Sequence, residues 1–380
     1  MKKILIITDK LYPDETGGSC TYAYETAIEL QKYIDLDIFT CYPEKTYNNK
    51  FFLGKVYREF NKKNPIKTSR FLLKCINDNK YDNIIFHSAY SWFIYYCIKM
   101  FIRKNPIQIA IYHGPWHKEA KLKYFSRNEK LKEQIIVPLM KAIEYLYVKD
   151  NNKFIFLSNY MKNELININK QLLKKDIKII PGGVNCEIFK RRFTKEEAKK
   201  KLGIENDKFV VFTLRRLEYR MGIQNAIKAI SKMESNKKNN TILVVGGKGN
   251  YADKLYSISQ KHKVNCRFDG FIPDDKVNLY FCAADLFIVP SIDLEGFGLV
   301  NLESLAMGVP VLACPQGGMI ELGGLFENFY LCDGLKVDDI TVELEKMYDL
   351  LKGKVCNEKK IKNYSWANIS KQIMNYIKKN

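Results

Sequence analysis

The chain has 380 residues, 46% hydrophobic and 27% charged, with a formal net charge of +20. At ~100–200 residues per domain this is too long for one core and suits two, and the composition is that of a soluble globular protein. No apolar run approaches the ~20 residues of a membrane-spanning helix, the ten cysteines are scattered without a C-x-x-C pair, and four histidines argue against a His-rich metal centre.

The start, Met1-Lys-Lys-Ile-Leu-Ile-Ile-Thr-Asp9, meets an acid before any signal-like apolar core forms, so it reads as a first strand and places the protein in the cytoplasm. A loop with Gly17-Gly18 follows, then helical spacing over 22–33. Strand patterns recur at 36–40, 81–87, 107–112 and 154–158, with helical patterns at 69–79, 90–103 and 135–148, while 43–70 matches neither template. The strand 107–112 delivers His113 and Gly114 to its carboxyl end, where open α/β sheets hold ligands. His113 there suits a sugar hydroxyl or phosphate, or is a capped structural histidine.

Segment 118–132 is basic, with Lys118, Lys121, Lys123, Arg127, Lys130 and Lys132 against Glu119 and Glu129. It fits either an anionic lipid surface or a plain solvated face. The positive charge is larger over residues 1–190, which favours phosphate-bearing ligands, anionic membrane or nucleic acid, or else reflects a chain rich in Lys, Asn and Ile. Strand 177–180 closes on Pro181-Gly-Gly-Val-Asn185, and the charged stretch 186–208 reads as a linker and the first helix of a second domain.

The strand pattern restarts at Phe209–Leu214 and runs into Arg215-Arg-Leu-Glu-Tyr-Arg-Met-Gly222. Arginines at a strand's carboxyl end before a glycine-started helix make an anion clamp, or are surface arginines. Strand-and-glycine-turn units follow at 241–249 and 264–272, with a helix opened by Pro273-Asp-Asp. The run 284–290 reads as a buried strand leading to Glu295-Gly-Phe-Gly-Leu-Val-Asn-Leu-Glu303. Gly296 and Gly298 permit close backbone approach, and the following helix N-terminus favours a phosphate. Carboxylates on either side suit the hydroxyls of a sugar nucleotide, unless they are two surface glutamates. Another strand spans 309–314, and Tyr364-Ser-Trp366 opens an amphipathic last helix with Ser365 as N-cap. The βα alternation in both halves argues α/β, two Rossmann-like domains.

These residues resemble the retaining glycosyltransferases of family 4, which have the GT-B fold. Glu295 to Glu303 matches the family's E-x7-E motif. Gly17-Gly18, the Pro181–Asn185 turn, Arg216-Leu-x-x-x-x-Gly222, Gly246 to Gly249, Gly270-Phe-Ile272, Ala284-Asp285, Pro290-Ser291, Gly317-Gly318 to Glu321 and Tyr364–Trp366 occur in the family's order. The resemblance implies two Rossmann-like domains facing across a cleft, with the last helix crossing back: an acceptor domain 1–185 with 365–380, and a donor domain 186–364. It implies that Glu303 holds the ribose and Glu295 the sugar, and that backbone around Gly296, Phe297, Gly298, Leu299 and Val300 meets phosphate. Ile272 meets the base, and Gly17, Gly18 and His113 reach in from the acceptor domain. Arg216 is the clamp arginine. The clamp lysine is replaced by Met221, so Arg215 or Arg220 supplies the missing charge.

The expectation is therefore a metal-independent, retaining transferase with no cofactor beyond its UDP- or GDP-linked sugar donor. Its acceptor is a glycan, a lipid-linked sugar or a small molecule, with peripheral contact at the inner face of the plasma membrane through 118–132. No nucleic acid partner is expected. Alternatives are an epimerase-like enzyme of the same fold or, from a different class, a basic nucleic-acid-binding protein, which would leave the ordered glycine turns unexplained.

Overall fold

A computed structural model describes residues 2–41, 52–126, 129–352 and 354–378. The chain forms two compact units, 1–183 with 366–380, and 184–365.

The first unit is built on seven parallel strands: β1 (Lys3–Ile7), β2 (Asp35–Cys41), β3 (Val56–Phe60), β4 (Asn83–Phe86), β5 (Ile107–Tyr112), β6 (Lys153–Phe156) and β7 (Asp176–Ile179), in the order β3-β2-β1-β4-β5-β6-β7. Ile4 to Ile7 and Ile84 to Phe86 are fully buried, as continuous apolar runs must be when helices cover both faces of a parallel sheet. The core is heavily aromatic: Trp92, Tyr95, Tyr147, Phe154 and Phe156 are all within one cluster. Part of 43–70 is now placed. β3 lies at the sheet edge, where Val-Tyr-Arg-Glu-Phe is mostly half-buried and so lacks an apolar run, and the helix Pro65–Asn79 starts four residues before the periodic pattern does. Residues 42–51 lie outside the described residues.

The last helix, Trp366–Lys378, belongs to this unit because Trp366, Ile369, Ile373 and Ile377 recur on one buried face. Trp366 meets Tyr22 edge-on at 5.4 Å, and the Tyr376 hydroxyl donates to the Asp176 carbonyl at 2.7 Å.

The second unit has six parallel strands: β8 (Phe209–Leu214), β9 (Thr241–Gly246), β10 (Cys266–Gly270), β11 (Leu286–Val289), β12 (Val311–Ala313) and β13 (Phe329–Leu331), in the order β10-β9-β8-β11-β12-β13. Its charged first helix, Lys195–Leu202, begins with a Thr194 capping box and ends at Gly203 with a left-handed φ of 67°. Two of its lysines face inward. Lys195 Nζ donates to Asp285 Oδ1 at 2.5 Å, Lys199 Nζ lies 3.4 Å from Oδ2, and the Val210 N–H donates to Oδ2 at 2.8 Å. Asp285 is thus a buried clasp between this helix and β8, a role its place beside β11 in the sequence did not announce.

In each sheet the strand order reverses once, between β1 and β4 and between β8 and β11. Those reversals open the crevices in which doubly wound sheets place ligands.

Candidate functional site

At the reversal of the second sheet, the loops after β8, β9 and β11 are knitted by backbone hydrogen bonds. Arg215 N–H donates to Gly246 O (3.0 Å), Leu217 N–H to Lys248 O (2.9 Å), and Ile292 N–H to Arg220 O (3.0 Å). Gly222 makes this contact possible. Its φ is 72°, and a Cβ there would fall 1.6 Å from the Pro290 carbonyl oxygen.

These loops bring Arg215, Ser291 and Glu295 together. Arg215 Nη1 donates to Ser291 Oγ at 2.6 Å, its Nη2 pairs with Glu295 Oε2, and Ser291 Oγ donates to the same carboxylate oxygen at 2.7 Å. Ser291 is fully buried, and Glu295 is 7% exposed. Burial pushes the Glu295 carboxyl up, but the Arg215 charge, the hydrogen bonds from Ser291 and Arg215 and the charge of Arg220 outweigh it, so the carboxyl sits below its ordinary range. Oε2 is committed inside the protein, which leaves Oε1 as the atom for an external partner.

The other two arginines differ. Arg220 is largely buried, its Nη1 donating to the Leu294 carbonyl at 3.2 Å and its Nε to Glu218 at 3.3 Å. Arg216, the expected clamp, is 61% exposed and pairs with Glu218 at 3.5 Å. The structure therefore brings Arg215 and Arg220 to the carboxylate and leaves Arg216 at the surface. Arg215 directly follows β8 with its side chain turned inward and Arg216 next to it turns outward, a difference of side-chain direction that adjacency in sequence conceals.

The helix Leu299–Ala306 starts beside Glu295. Gly298 caps it in the left-handed region (φ 69°), Phe297 and Leu299 are buried, and Gly296, Val300 and Glu303 are half-buried. The Asn301 N–H turns back to Gly298 O at 3.0 Å, and helix geometry leaves Leu299 and Val300 with first-turn N–H groups that have no acceptor inside the helix. Gly318 N–H holds the Glu295 carbonyl at 2.9 Å. Ile272 follows β10 and is buried against Gly246. A guanidinium-paired carboxylate, a second cation and a helix N-terminus thus share one end of this sheet, an arrangement suited to an anion carrying hydroxyl groups.

In the first unit Gly17 (φ 146°) caps the helix Gly18–Leu30. His113 follows β5 and stacks on His87, which follows β4. The rings are 5.3 Å apart, with His87 Nδ1 3.0 Å from His113 Nε2. Tyr22 meets His113 edge-on at 5.2 Å. Burial is the main cause pushing the His113 imidazole down to about 4, and the nearby Asp9 only partly offsets it. Below His113, the fully buried Glu144 accepts from Tyr112 Oη (3.0 Å), Trp116 N–H (2.8 Å) and His117 N–H (3.4 Å), with His117 Nδ1 at 2.5 Å. It fixes the His113–His117 turn. The signal for Glu144 in the sequence was a lone acid in an apolar helical run, and for His87 a strand-end histidine.

The basic segment falls on two helices, Trp116–Ser126 and Lys130–Asp150, and Arg127 lies outside the described residues. Lys118 pairs with Glu164 (2.6 Å) and Lys132 with Glu129 (3.1 Å). Phe125, Leu131, Ile135 and Leu139 are all more than half exposed beside these lysines, so the amphipathic surface extends beyond 118–132. No described helix is long and apolar enough to cross a membrane.

Two parallel, doubly wound units, each with a crevice at its strand-order reversal, have the architecture of the GT-B fold. The model "Glycosyltransferase Family 4" matches residues 16–188, and "Glycosyl transferases group 1" matches 194–365. An uncharacterized glycosyltransferase of Methanocaldococcus jannaschii is 30% identical over 249 residues, 62% of each chain. The alpha-monoglucosyldiacylglycerol synthase of Streptococcus pneumoniae is 34% identical over 147 residues, 37% of this chain and 33% of that one. The aligned region thus spans less than two thirds of either relative. Among solved structures, Anabaena HepE in complex with UDP and glucose superposes with a TM-score of 0.75 at 16% identity, over 99% of each chain, a likeness of fold. The chain belongs to the family 4 glycosyltransferases.

Proposed function

We propose that the protein is a retaining glycosyltransferase that moves a sugar from a UDP- or GDP-linked donor to a hydroxyl acceptor, without a resident metal or cofactor. The observation that carries this reading is the Arg215–Ser291–Glu295 network beside the helix N-terminus at Leu299. In the transfer, the bond from the sugar's anomeric carbon to the diphosphate breaks, the acceptor oxygen bonds that carbon, and the acceptor's proton passes to the leaving phosphate. Negative charge grows on the diphosphate. Arg215, Arg220 and the N–H groups of Leu299 and Val300 stabilise it because they are already oriented, so little reorganisation is needed during the reaction. Oε1 of Glu295 takes a sugar hydroxyl, Glu303 the ribose, and backbone at Ile272 the base. Glu295 cannot serve as a proton donor while it is held ionised, which separates it from the acid/base carboxylates of glycosidases.

The acceptor is a glycan or a lipid-linked sugar. Similarity to the alpha-monoglucosyldiacylglycerol synthases of Streptococcus pneumoniae and Acholeplasma laidlawii supports a lipid acceptor, as does the exposed apolar and basic surface of helix Lys130–Asp150. Turnover against a panel of nucleotide sugars, with NMR of the product's anomeric configuration, tests the reaction. Absence of binding and turnover with every donor refutes it, and inversion or a requirement for added divalent metal refutes those parts alone. Co-sedimentation with anionic liposomes tests the surface. Leu131→Ser with Ile135→Ser is expected to lower bound protein about tenfold or more, from ~1.5–3 kcal/mol per buried apolar side chain, and unchanged binding overturns the membrane assignment.

A further inference from the structure

The first unit's histidine pair has a consequence for what His113 can do. Two imidazole nitrogens 3.0 Å apart share one proton, so one ring donates and the other accepts. Burial is the main cause that pushes both imidazoles down, His87 well below its ordinary range and His113 to about 4, so at neutral pH each ring carries a single proton. His87 is 3% exposed, and its Nε2 is buried with no hydrogen-bond partner. If His87 kept its proton on Nε2, that N–H would be an orphaned buried donor, the rarer and costlier defect. With the proton on Nδ1, only a bare lone pair is left unpaired.

We infer that His87 is a positioning residue whose Nδ1–H donates to His113 Nε2 and thereby locks His113 as the Nδ1–H tautomer, a hydrogen-bond donor from that nitrogen and not a base. His113 then serves transfer by donating to an oxygen of the sugar donor or of the acceptor. This rests on the transferase reading for its consequence but not for the tautomer, which is a property of the unliganded chain. The neighbours agree with a neutral pair. Tyr22 packs edge-on against His113 and lies 6.0 Å from His87 between ring centres, and the Tyr22 hydroxyl is itself buried without a partner, so neither ring faces a countercharge from that helix. Asp9 is the acid that acts on His113, and it is engaged by Lys62 at 2.8 Å.

The tautomer is read directly. With only four histidines in the chain, long-range proton–nitrogen correlation spectra of histidine-labelled protein resolve each ring, and His113→Asn and His87→Phe assign the pair. The expected result is Nδ1–H on His113 at neutral pH in the wild type, converting to the Nε2–H form in His87→Phe. Nε2–H on His113 in the folded wild type overturns the inference whatever the activity. The second readout is kinetic. His87→Phe is expected to lower transfer by ~10–100-fold, since misplacing a binding group by about 1 Å has effects of that order, and His87→Asn, whose amide N–H can replace Nδ1–H, is expected to recover most of it. Equal loss in both variants, with His113 still in the Nδ1–H form, overturns the positioning role. A chain that shows the Nδ1–H signature but turns over no nucleotide sugar refutes the proposed reaction and leaves the tautomer assignment intact.

Discussion

The two units share a topology and differ in what they place where the strand order reverses. Between β8 and β11 the loops meet in charge: two guanidinium groups, a buried hydroxyl and a carboxylate held ionised. Between β1 and β4, and on the neighbouring β5, they meet in neutral rings, His87, His113 and Tyr22, with both imidazoles held uncharged. One crevice is lined by charge suited to an anion, and the other by neutral rings. Parallel sheets supply the same opening in both cases, and the chemistry is set by a few residues in the loops after the strands.

The largest effect should come from removing the charge of the second crevice. Arg215→Ala deletes a cation near developing phosphate charge and also strands the buried Glu295. Transfer is expected to fall ~10²–10³-fold, as for loss of one preorganised donor, and the second unit should lose ~3–5 kcal/mol because a buried charge is left unpaired. Arg216→Ala, at an exposed position, should lower transfer by less than about tenfold. The reverse ranking in kcat/KM would move the clamp back to Arg216 and break the contrast as drawn.

Glycines give a smaller contrast. Gly298 and Gly17 both have positive φ, and alanine at either strains the backbone by ~1–3 kcal/mol. At Gly298 a Cβ would also fall 2.5 Å from the buried Asn301 amide, adding the cost of overpacking, ~1–3 kcal/mol. At Gly17 the nearest atom would be Cys20 Sγ at 3.9 Å. Gly298→Ala is therefore expected to lower both thermal stability and donor affinity, and Gly17→Ala to lower stability modestly with donor affinity intact. Calorimetric titration with nucleotide distinguishes them, and equal losses of affinity would show that the first unit's loop also binds the donor.

Much of this organisation was legible in the chain. Strands β1 and β11 are buried apolar runs after at most one polar residue, β5 and β8 are interrupted only by Gln108 and Thr213, and Glu295 of the E-x7-E spacing lies in the charged crevice. Legibility ended where burial was partial or partners were remote. β3 has an edge strand's mixed pattern, and β13 is only Phe329–Leu331, too short for a period. Lys195 and Lys199 sit in a strongly charged stretch, yet they turn inward to Asp285 about ninety positions away. The choice among Arg215, Arg216 and Arg220 depended on which way each side chain leaves a turn, which spacing does not encode.

The smallest effect concerns acid. A group whose folded pKa is depressed gives stability that is present above its unfolded pKa and lost as pH falls toward the folded value. For His113 that window runs from 6.5 down to about 4, and His87 has the same sign. Glu295 is also depressed, but from 4.5, so its contribution is lost only below that. Glu25 in the first unit opposes the histidines. Burial, aided by Glu29, pushes its carboxyl up to about 7, which gives stability at low pH that is lost as pH rises from 4.5 through 7. Two imidazoles act against one carboxyl, so the first unit should weaken on acidification from 6.5 to 4.5 while the second holds. The three tryptophans, Trp92, Trp116 and Trp366, all lie in the first unit, so their fluorescence reports its denaturant midpoint alone, and amide exchange follows the second. The midpoint should fall over that range in the wild type, less in His113→Phe, and should reverse its slope when both histidines are replaced and Glu25 remains. Parallel acid loss in both units would mean that the imidazoles are not held neutral by the fold, and the contrast between the two crevices would reduce to charge on one side only.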